Sequence, residues 1–194
     1  MAFTSFDQIT QEEVLEMGKS FIRRQAEIPE VIKEMLRQLA SLDEGTPVNQ
    51  LVHSLQTATR AVRDEASEEM VVAALCHDIG KLSSATNHSA VSAEILKPYV
   101  SNDTYEIILT HEIFQGRYLY RFVGMDPHAY KQYRDRPWFA AACRFSERWD
   151  QRAFDPAYDT LPLSYFEPMI DRVFAQAPAI ESFKEFLISG KAGS

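Results

Sequence analysis

The chain has 194 residues, of which 45% are hydrophobic, so it can bury a sizeable core in one domain but is short for two. Its formal net charge of −8 disfavours a nucleic-acid surface, which is usually basic. No apolar run approaches the roughly 20 residues that span a bilayer, and MAFTSFDQITQEE lacks the layout of a signal peptide, so we expect a cytoplasmic protein that binds neither nucleic acid nor membrane.

The first part of the chain predicts three helices. Thr10 and Glu13 fit a capping box at the start of the first helix, EEVLEMGKSFIRR. Pro29 suits the first turn of a second helix, EVIKEMLRQLASL, because proline is favoured there. The turn cluster DEGTP then precedes a third helix from about Asn49 to Asp64.

The middle of the chain predicts two more helices, joined by a short loop. Ser67 caps the fourth helix, which ends at the doublet His77-Asp78. Gly80 follows two residues later and is expected to supply the helix end. After the loop KLSSATN, a fifth helix should run from about His88 to Tyr99.

Caps and prolines indicate the remaining helices. Asn102 or Asp103 caps a sixth helix, Asp126-Pro127 opens a short one, and the proline at 137 introduces WFAAACRFSERWD. Two weaker helices, FEPMIDRVFA and IESFKEFLI, close the chain. Since no stretch alternates over a strand length and no linker is evident, residues 1–194 are predicted to form one all-α domain, whose oligomeric state the sequence leaves open.

Four of the five histidines form an ordered set with two aspartates, H…HD…H…H…D, and His128 stays outside it in a polar stretch. Adjacent side chains on a helix diverge by roughly 100°, so the doublet can serve a common centre only from a helix end. Imidazole and carboxylate ligands suit iron, manganese, cobalt, nickel or zinc. Each residue alone has an ordinary structural interpretation, but the joint pattern favours two metal ions bridged by Asp78. The predicted ligands are His53, His77, Asp78, His88, His111 and Asp150.

This pattern resembles the HD-domain superfamily, whose fold is a helical bundle around one or two metal ions. The likeness covers about residues 49–150, the expected metal-binding core. The segments NQLVHSLQTA, RYLYRF and RWD are similar to the mixed-valent di-iron oxygenases, a branch that includes myo-inositol oxygenase and 2-amino-1-hydroxyethylphosphonate dioxygenase. The resemblance implies two iron ions, Fe(II) and Fe(III), that use O2 to cleave a C–C or C–heteroatom bond. The expected substrate is a small hydroxylated molecule that carries an anionic group.

The resemblance also suggests substrate contacts. In HDIGK, the lysine is similar to one that contacts the substrate in myo-inositol oxygenase, so Lys81 is the predicted catalytic and substrate-binding residue. Gln115, Arg117 and Arg148 are further candidates to contact the substrate. The chain departs from the phosphonate oxygenase, because Gln115 replaces an expected lysine and Glu147 an expected basic residue. The tyrosine and glutamate that gate that enzyme's iron have no evident match in LDEGTPV. The resemblance therefore does not identify the substrate.

Two other interpretations compete with the oxygenase. HDIGK is also common among the phosphohydrolases of the superfamily, in which two divalent ions such as Mn or Co would generate a hydroxide and hold a phosphoryl group of a nucleotide or small phosphoester. A binding module with structural metals is disfavoured, because a structural site usually closes its shell with four ligands and this set has six.

Overall fold

The order of helices follows the sequence, except that the first two predicted helices are one. The computed structural model describes residues 3–175, and within that range it contains no β-strand, which confirms the all-α prediction. No helix in this range has the length and apolar character needed to cross a membrane. The predicted helix IESFKEFLI lies outside the described residues. The α-helices are α1 (Gln11–Gln38), α2 (Gln50–Arg63), α3 (Glu68–Cys76), α4 (His88–Leu96), α5 (Asn102–Leu119), α6 (Phe139–Arg144) and α7 (Leu163–Phe174).

Pro29 lies inside α1, so the prediction that a second helix begins there is wrong. The predicted capping box does start α1. A proline in a helix interior removes one backbone hydrogen bond, but contacts on both sides of Pro29 hold the helix together. Before it, the Gln25 Nε2 donates to the Tyr99 hydroxyl at 2.6 Å; after it, Leu36 is fully buried in the core.

α3 is the central helix of the bundle. It contacts α2, α4, α5 and α7, and every residue from Val71 to Cys76 is buried. Burying these apolar side chains stabilises the fold by roughly 25 cal/mol per Å² removed from water. Because α3 ends at Cys76, the doublet His77-Asp78 leaves the helix deep inside the protein, where both residues are also buried.

Gly80 controls how closely the end of α3 approaches the start of α4. α3 does end before Gly80, as predicted, but Gly80 has no positive φ and the chain continues through a 3₁₀ helix, Ile79–Leu82. A Cβ atom at this position would lie 2.2 Å from the carbonyl oxygen of His88 and 2.9 Å from the Cβ of Val91. Only glycine lets the two segments approach this closely.

Two smaller predictions after α4 differ from the structure. The N-cap of α5 is Ser101 rather than Asn102 or Asp103, and the Ser101 hydroxyl accepts the Thr104 amide at 3.3 Å. The short helix predicted after Asp126-Pro127 is a 3₁₀ turn over residues 129–133.

A π-helical turn interrupts the helix that is predicted for WFAAACRFSERWD. The chain leaves α6 at Arg144, forms a π-helix over Phe145–Trp149 and continues as a 3₁₀ turn over Asp150–Arg152. A π turn is wider than an α turn because its hydrogen bonds join residues five apart. The residues that follow it therefore point in directions that a continuous α-helix would not give them.

We expect Gly80→Ala to lower the free energy of unfolding by about 1–3 kcal/mol, because the added methyl must displace the backbone where α4 begins. Urea denaturation of the variant and the parent measures this difference. Gly45→Ala is a comparison rather than a neutral control: nothing lies within 4 Å of its added Cβ, so its loss of about 1–2 kcal/mol would come from positive-φ strain alone and not from a steric clash. An unfolding free energy unchanged by Gly80→Ala would mean that α4 is not held this closely.

Candidate metal centre

The four predicted histidine ligands are hydrogen-bonded in the same way. In each ring, Nδ1 donates a hydrogen bond to a backbone carbonyl, which can only accept. Nδ1 therefore carries the proton, and in the neutral ring Nε2 is left as an acceptor with a free lone pair. The pairs are His53 with Ala153 (3.1 Å), His77 with Ala74 (2.8 Å), His88 with Ala85 (2.9 Å) and His111 with Ile108 (2.6 Å).

Two of these Nε2 atoms meet at the first of two ligand groups. The Nε2 atoms of His53 and His77 lie 3.2 Å apart. Asp150 Oδ1 lies 3.2 Å from the His53 Nε2 and 3.7 Å from the His77 Nε2. Asp78 Oδ2 lies 3.6 and 3.4 Å from the same two nitrogens. Three residues from different parts of the chain thus face one point, with Asp78 beside them.

The other oxygen of Asp78 faces the second ligand group. Its Oδ1 lies 3.2 Å from the His88 Nε2 and 3.4 Å from the His111 Nε2. The Asp78 carboxylate thus presents one oxygen to each group. This is the arrangement that the predicted bridging role of Asp78 requires.

The buried polar atoms of the cluster fit metal ions. Asp78 Oδ1 and Asp150 Oδ2 are buried and accept no hydrogen bond from the described residues. The facing lone pairs of His53 and His77 repel each other unless a positive charge lies between them. Since an uncompensated buried charge is costly, cations are the natural complement of these ligands. The buried His/Asp cluster could therefore hold metal ions.

The directions of the pKa shifts in the cluster are consistent with the same demand for positive charge. Burial opposes ionisation of Asp78, but His77, the other imidazoles and Lys81 hold its pKa well below its ordinary value. Burial likewise opposes ionisation of Asp150, but His53 and His77 lower its pKa. Burial also opposes protonation of His53 and His88, but the neighbouring carboxylates raise the pKa of both rings.

A cavity of about 420 Å³ opens beside the cluster. His53 and Asp78 are the predicted ligands that line it, so a molecule in the cavity would face the shared carboxylate and the first ligand group. Its other lining residues combine one lysine with a carboxylate, amides and apolar or aromatic groups. These are Lys81, Glu44, Gln50, Gln115, Gln151, Thr46, Pro47, Leu119, Tyr118 and Phe154.

Lys81 lies between two carboxylates at the wall of this cavity. Its Nζ is 2.9 Å from Asp78 Oδ2 and 2.8 Å from Glu44 Oε2. Burial disfavours its charge, but Asp78 and Glu44 raise the pKa of Lys81, so it stays protonated at neutral pH. Glu44 also accepts a hydrogen bond from Gln50 Nε2 at 2.7 Å.

The sequence alone assigns no role to Glu44, because LDEGTPV shows no match to a gating segment. The structure places its carboxylate at the cavity wall. The signal in the sequence is an acidic residue in the turn directly before the helix that carries the first predicted ligand. Phe154 also escapes prediction, although its ring stacks on the His53 imidazole with centroids 4.5 Å apart and shields that side of the cluster.

Of the other three predicted substrate-binding residues, one lies at the cavity and two do not. Gln115 lines the cavity, and its Nε2 donates to Asp150 Oδ1 at 3.0 Å, so it touches a predicted ligand. Arg117 and Arg148 do not line this cavity. Arg117 pairs with Glu147, and Arg148 Nη1 lies 3.0 Å from Asp64 Oδ1 with a side chain that is 61% exposed. The structure thus brings neither arginine to the cluster, because both are held by carboxylates elsewhere.

Comparison with known proteins supports the class that the fold and cluster indicate. Residues 50–137 match the family model of the HD domain. None of the curated proteins shows a significant match to the chain. The matched segment includes five of the six predicted ligands and ends before Asp150. Together with the all-α bundle and the buried His/Asp cluster, the match supports assignment to the HD-domain superfamily, whose members are generally metal-dependent enzymes.

We expect Asp78→Ala and His77→Ala to abolish metal loading, because the first removes the shared carboxylate and the second a buried imidazole. Metal analysis of anaerobically purified protein measures the loss, and far-UV circular dichroism reports whether the fold persists. Both variants should also unfold at lower urea concentration, since metal binding is linked to folding.

His128→Ala is the matched control, because His128 is exposed and its ring takes no part in the cluster. It should retain the metal content of the parent. Normal metal content in both cluster variants, or loss of metal in His128→Ala, would show that the ligand set is wrong.

Proposed function

We propose that the protein is a di-iron oxygenase that uses O2 to cleave a C–C or C–heteroatom bond of a small hydroxylated substrate. The observation that carries the proposal is the cavity beside a nitrogen-rich cluster in which Asp78 presents one oxygen to His53 and His77 and the other to His88 and His111. Imidazole-rich donor sets suit iron better than Mg²⁺ or Ca²⁺, which prefer oxygen. Two iron ions bound there would supply the Lewis acidity and the electrons that O2 chemistry needs.

The charge of the cavity favours this proposal over hydrolysis of a nucleotide. Lys81 is the one cationic side chain that lines it within residues 3–175, and Asp78 and Glu44 already balance its charge. A polyphosphate carries several negative charges, which a single lysine already paired with two carboxylates complements poorly. The volume of about 420 Å³, with Pro47 and Leu119 in the wall, suits a small organic molecule instead.

The side chains of the cavity would have distinct roles in substrate binding. Lys81 would hold an anionic group of the substrate, which takes the place of the Glu44 carboxylate at Nζ. Gln115 would keep Asp150 oriented through its 3.0 Å hydrogen bond. Phe154 would exclude water from the face of His53 on which it stacks. His53 and Asp78, which are buried but line the cavity, would then face the bound substrate.

The proposal is tested with protein purified without oxygen and loaded with iron. We expect near two iron ions per chain, because the cluster contains two ligand groups. We also expect a mixed-valent EPR signal that changes when a substrate is added, together with oxygen uptake in a screen of small hydroxylated acids and phosphonates. Phosphate release from a phosphoester panel with Mn or Co, without oxygen consumption, would instead establish the phosphohydrolase.

We expect Lys81→Met to reduce kcat/KM about 10- to 100-fold, mainly through KM, because a hydrogen bond to a charged group contributes about 1.5–3 kcal/mol. Iron content should be unchanged. Lys97→Met is the matched control, since Lys97 is exposed and pairs with Glu94 on the surface. Loss of iron from Lys81→Met would show that Lys81 supports the metal cluster rather than the substrate.

A further inference from the structure

A second cavity, of about 200 Å³, lies where the end of α2 meets the segment around the π-helix. It shares no lining residue with the cavity at the metal cluster, so a ligand there would not contact the substrate. Its lining consists of three arginines, one carboxylate and two aromatic side chains. These are Arg60, Arg63, Arg148, Asp64, Trp149 and Tyr158.

The carboxylates near this cavity do not balance its positive charge. Asp64 accepts from Arg144 Nε at 2.6 Å and also pairs with Arg148 at 3.0 Å, so its single charge is shared between two guanidinium groups. Arg63 pairs with Asp159, whose side chain is 93% exposed, at 2.7 Å. Arg60 adds a further positive charge, which leaves the cavity with an excess.

Arg60 lacks the hydrogen bonds that a buried guanidinium nitrogen normally has. Its Nε is buried and has no hydrogen-bond partner, and no carboxylate among residues 3–175 pairs with the side chain. The guanidinium carbon lies 3.9 Å from the centroid of the Tyr158 ring. Stacking uses the face of the guanidinium and leaves its in-plane N–H groups free for a bidentate acceptor.

We propose that this cavity binds a phosphate-type oxyanion, with Arg60 as the bidentate donor and with Arg63 and Arg148 supplying further charge. Such an anion would accept hydrogen bonds from the outer guanidinium nitrogens of Arg60 and neutralise the excess positive charge. The volume of about 200 Å³ fits a phosphate group with a small organic substituent rather than a nucleotide. Inorganic phosphate and a small phosphate ester share this chemistry. Comparing their affinities shows which of the two the cavity prefers.

The test is calorimetric titration of the iron-loaded protein with inorganic phosphate and, separately, with glycerol phosphate. Arg60→Gln should weaken binding at least about 10-fold, because it removes a charge-assisted bidentate contact. Arg60→Lys should bind with intermediate affinity, since it keeps the positive charge but loses the planar pair of N–H donors. Tighter binding of the ester than of phosphate would assign the site to an organic phosphate.

Two control variants distinguish this cavity from a surface arginine and from the metal cluster. Arg121→Gln removes another arginine that stacks on an aromatic ring, Phe122, but lies outside the cavity, and it should bind phosphate like the parent. Lys81→Met should also bind like the parent. Binding that survives Arg60→Gln and Arg60→Lys but is lost in Lys81→Met would place the anion at the metal cluster and overturn the proposal, as would no binding to the parent.

Discussion

The chemistry of the cluster depends on four hydrogen bonds from imidazole Nδ1 atoms to backbone carbonyls. Three of the carbonyls belong to residues three positions before the histidine, at Ala74, Ala85 and Ile108, so local backbone geometry orients these rings. The fourth belongs to Ala153, a hundred residues after His53. With all four protons directed outward, the Nε2 lone pairs converge on two buried carboxylates. The backbone therefore defines a group of acceptors that is complete only with cations.

This convergence carries an energetic cost that the surrounding core offsets. Without cations, the facing nitrogens of His53 and His77 repel each other, and Asp78 and Asp150 keep buried oxygens without donors. The buried face of α3 and the close approach at Gly80 hold the ligands together against this repulsion. Binding of metal ions would relieve it, so we expect the stability of the bundle and the occupancy of the cluster to rise together.

The sequence predicts the helices and the ligand candidates better than the directions of individual side chains. Helix caps and apolar periodicity depend only on neighbouring residues, and the ordered set of histidines and aspartates depends only on residue type. Both can therefore be recognised in the sequence without knowledge of the packing. The π-helix before Asp150 is invisible in WFAAACRFSERWD, because it depends on packing in three dimensions. For the same reason, Arg148 is predicted near the substrate but pairs with Asp64, whereas Glu44 has no predicted role but reaches the cavity. Gly80 is predicted only to end a helix, and its close contact with α4 is not visible in the sequence, because it depends on packing between segments.

The two cavities show why net charge describes this chain poorly. At the His/Asp cluster, Glu44 and Asp78 balance Lys81, so that bound metal ions would have to add to the attraction that Lys81 exerts on an anion. Around Arg60, the protein itself provides the positive charge, and no metal is needed. α2 connects the two places, because it carries His53 near its start and Arg60 two turns later. The chain is acidic overall, but three of its arginines line a cavity that shares no residue with the one beside the His/Asp cluster. A small phosphorylated molecule would therefore be favoured at the second cavity, whereas binding of an anion at the cluster would depend on how fully the metal ions are loaded.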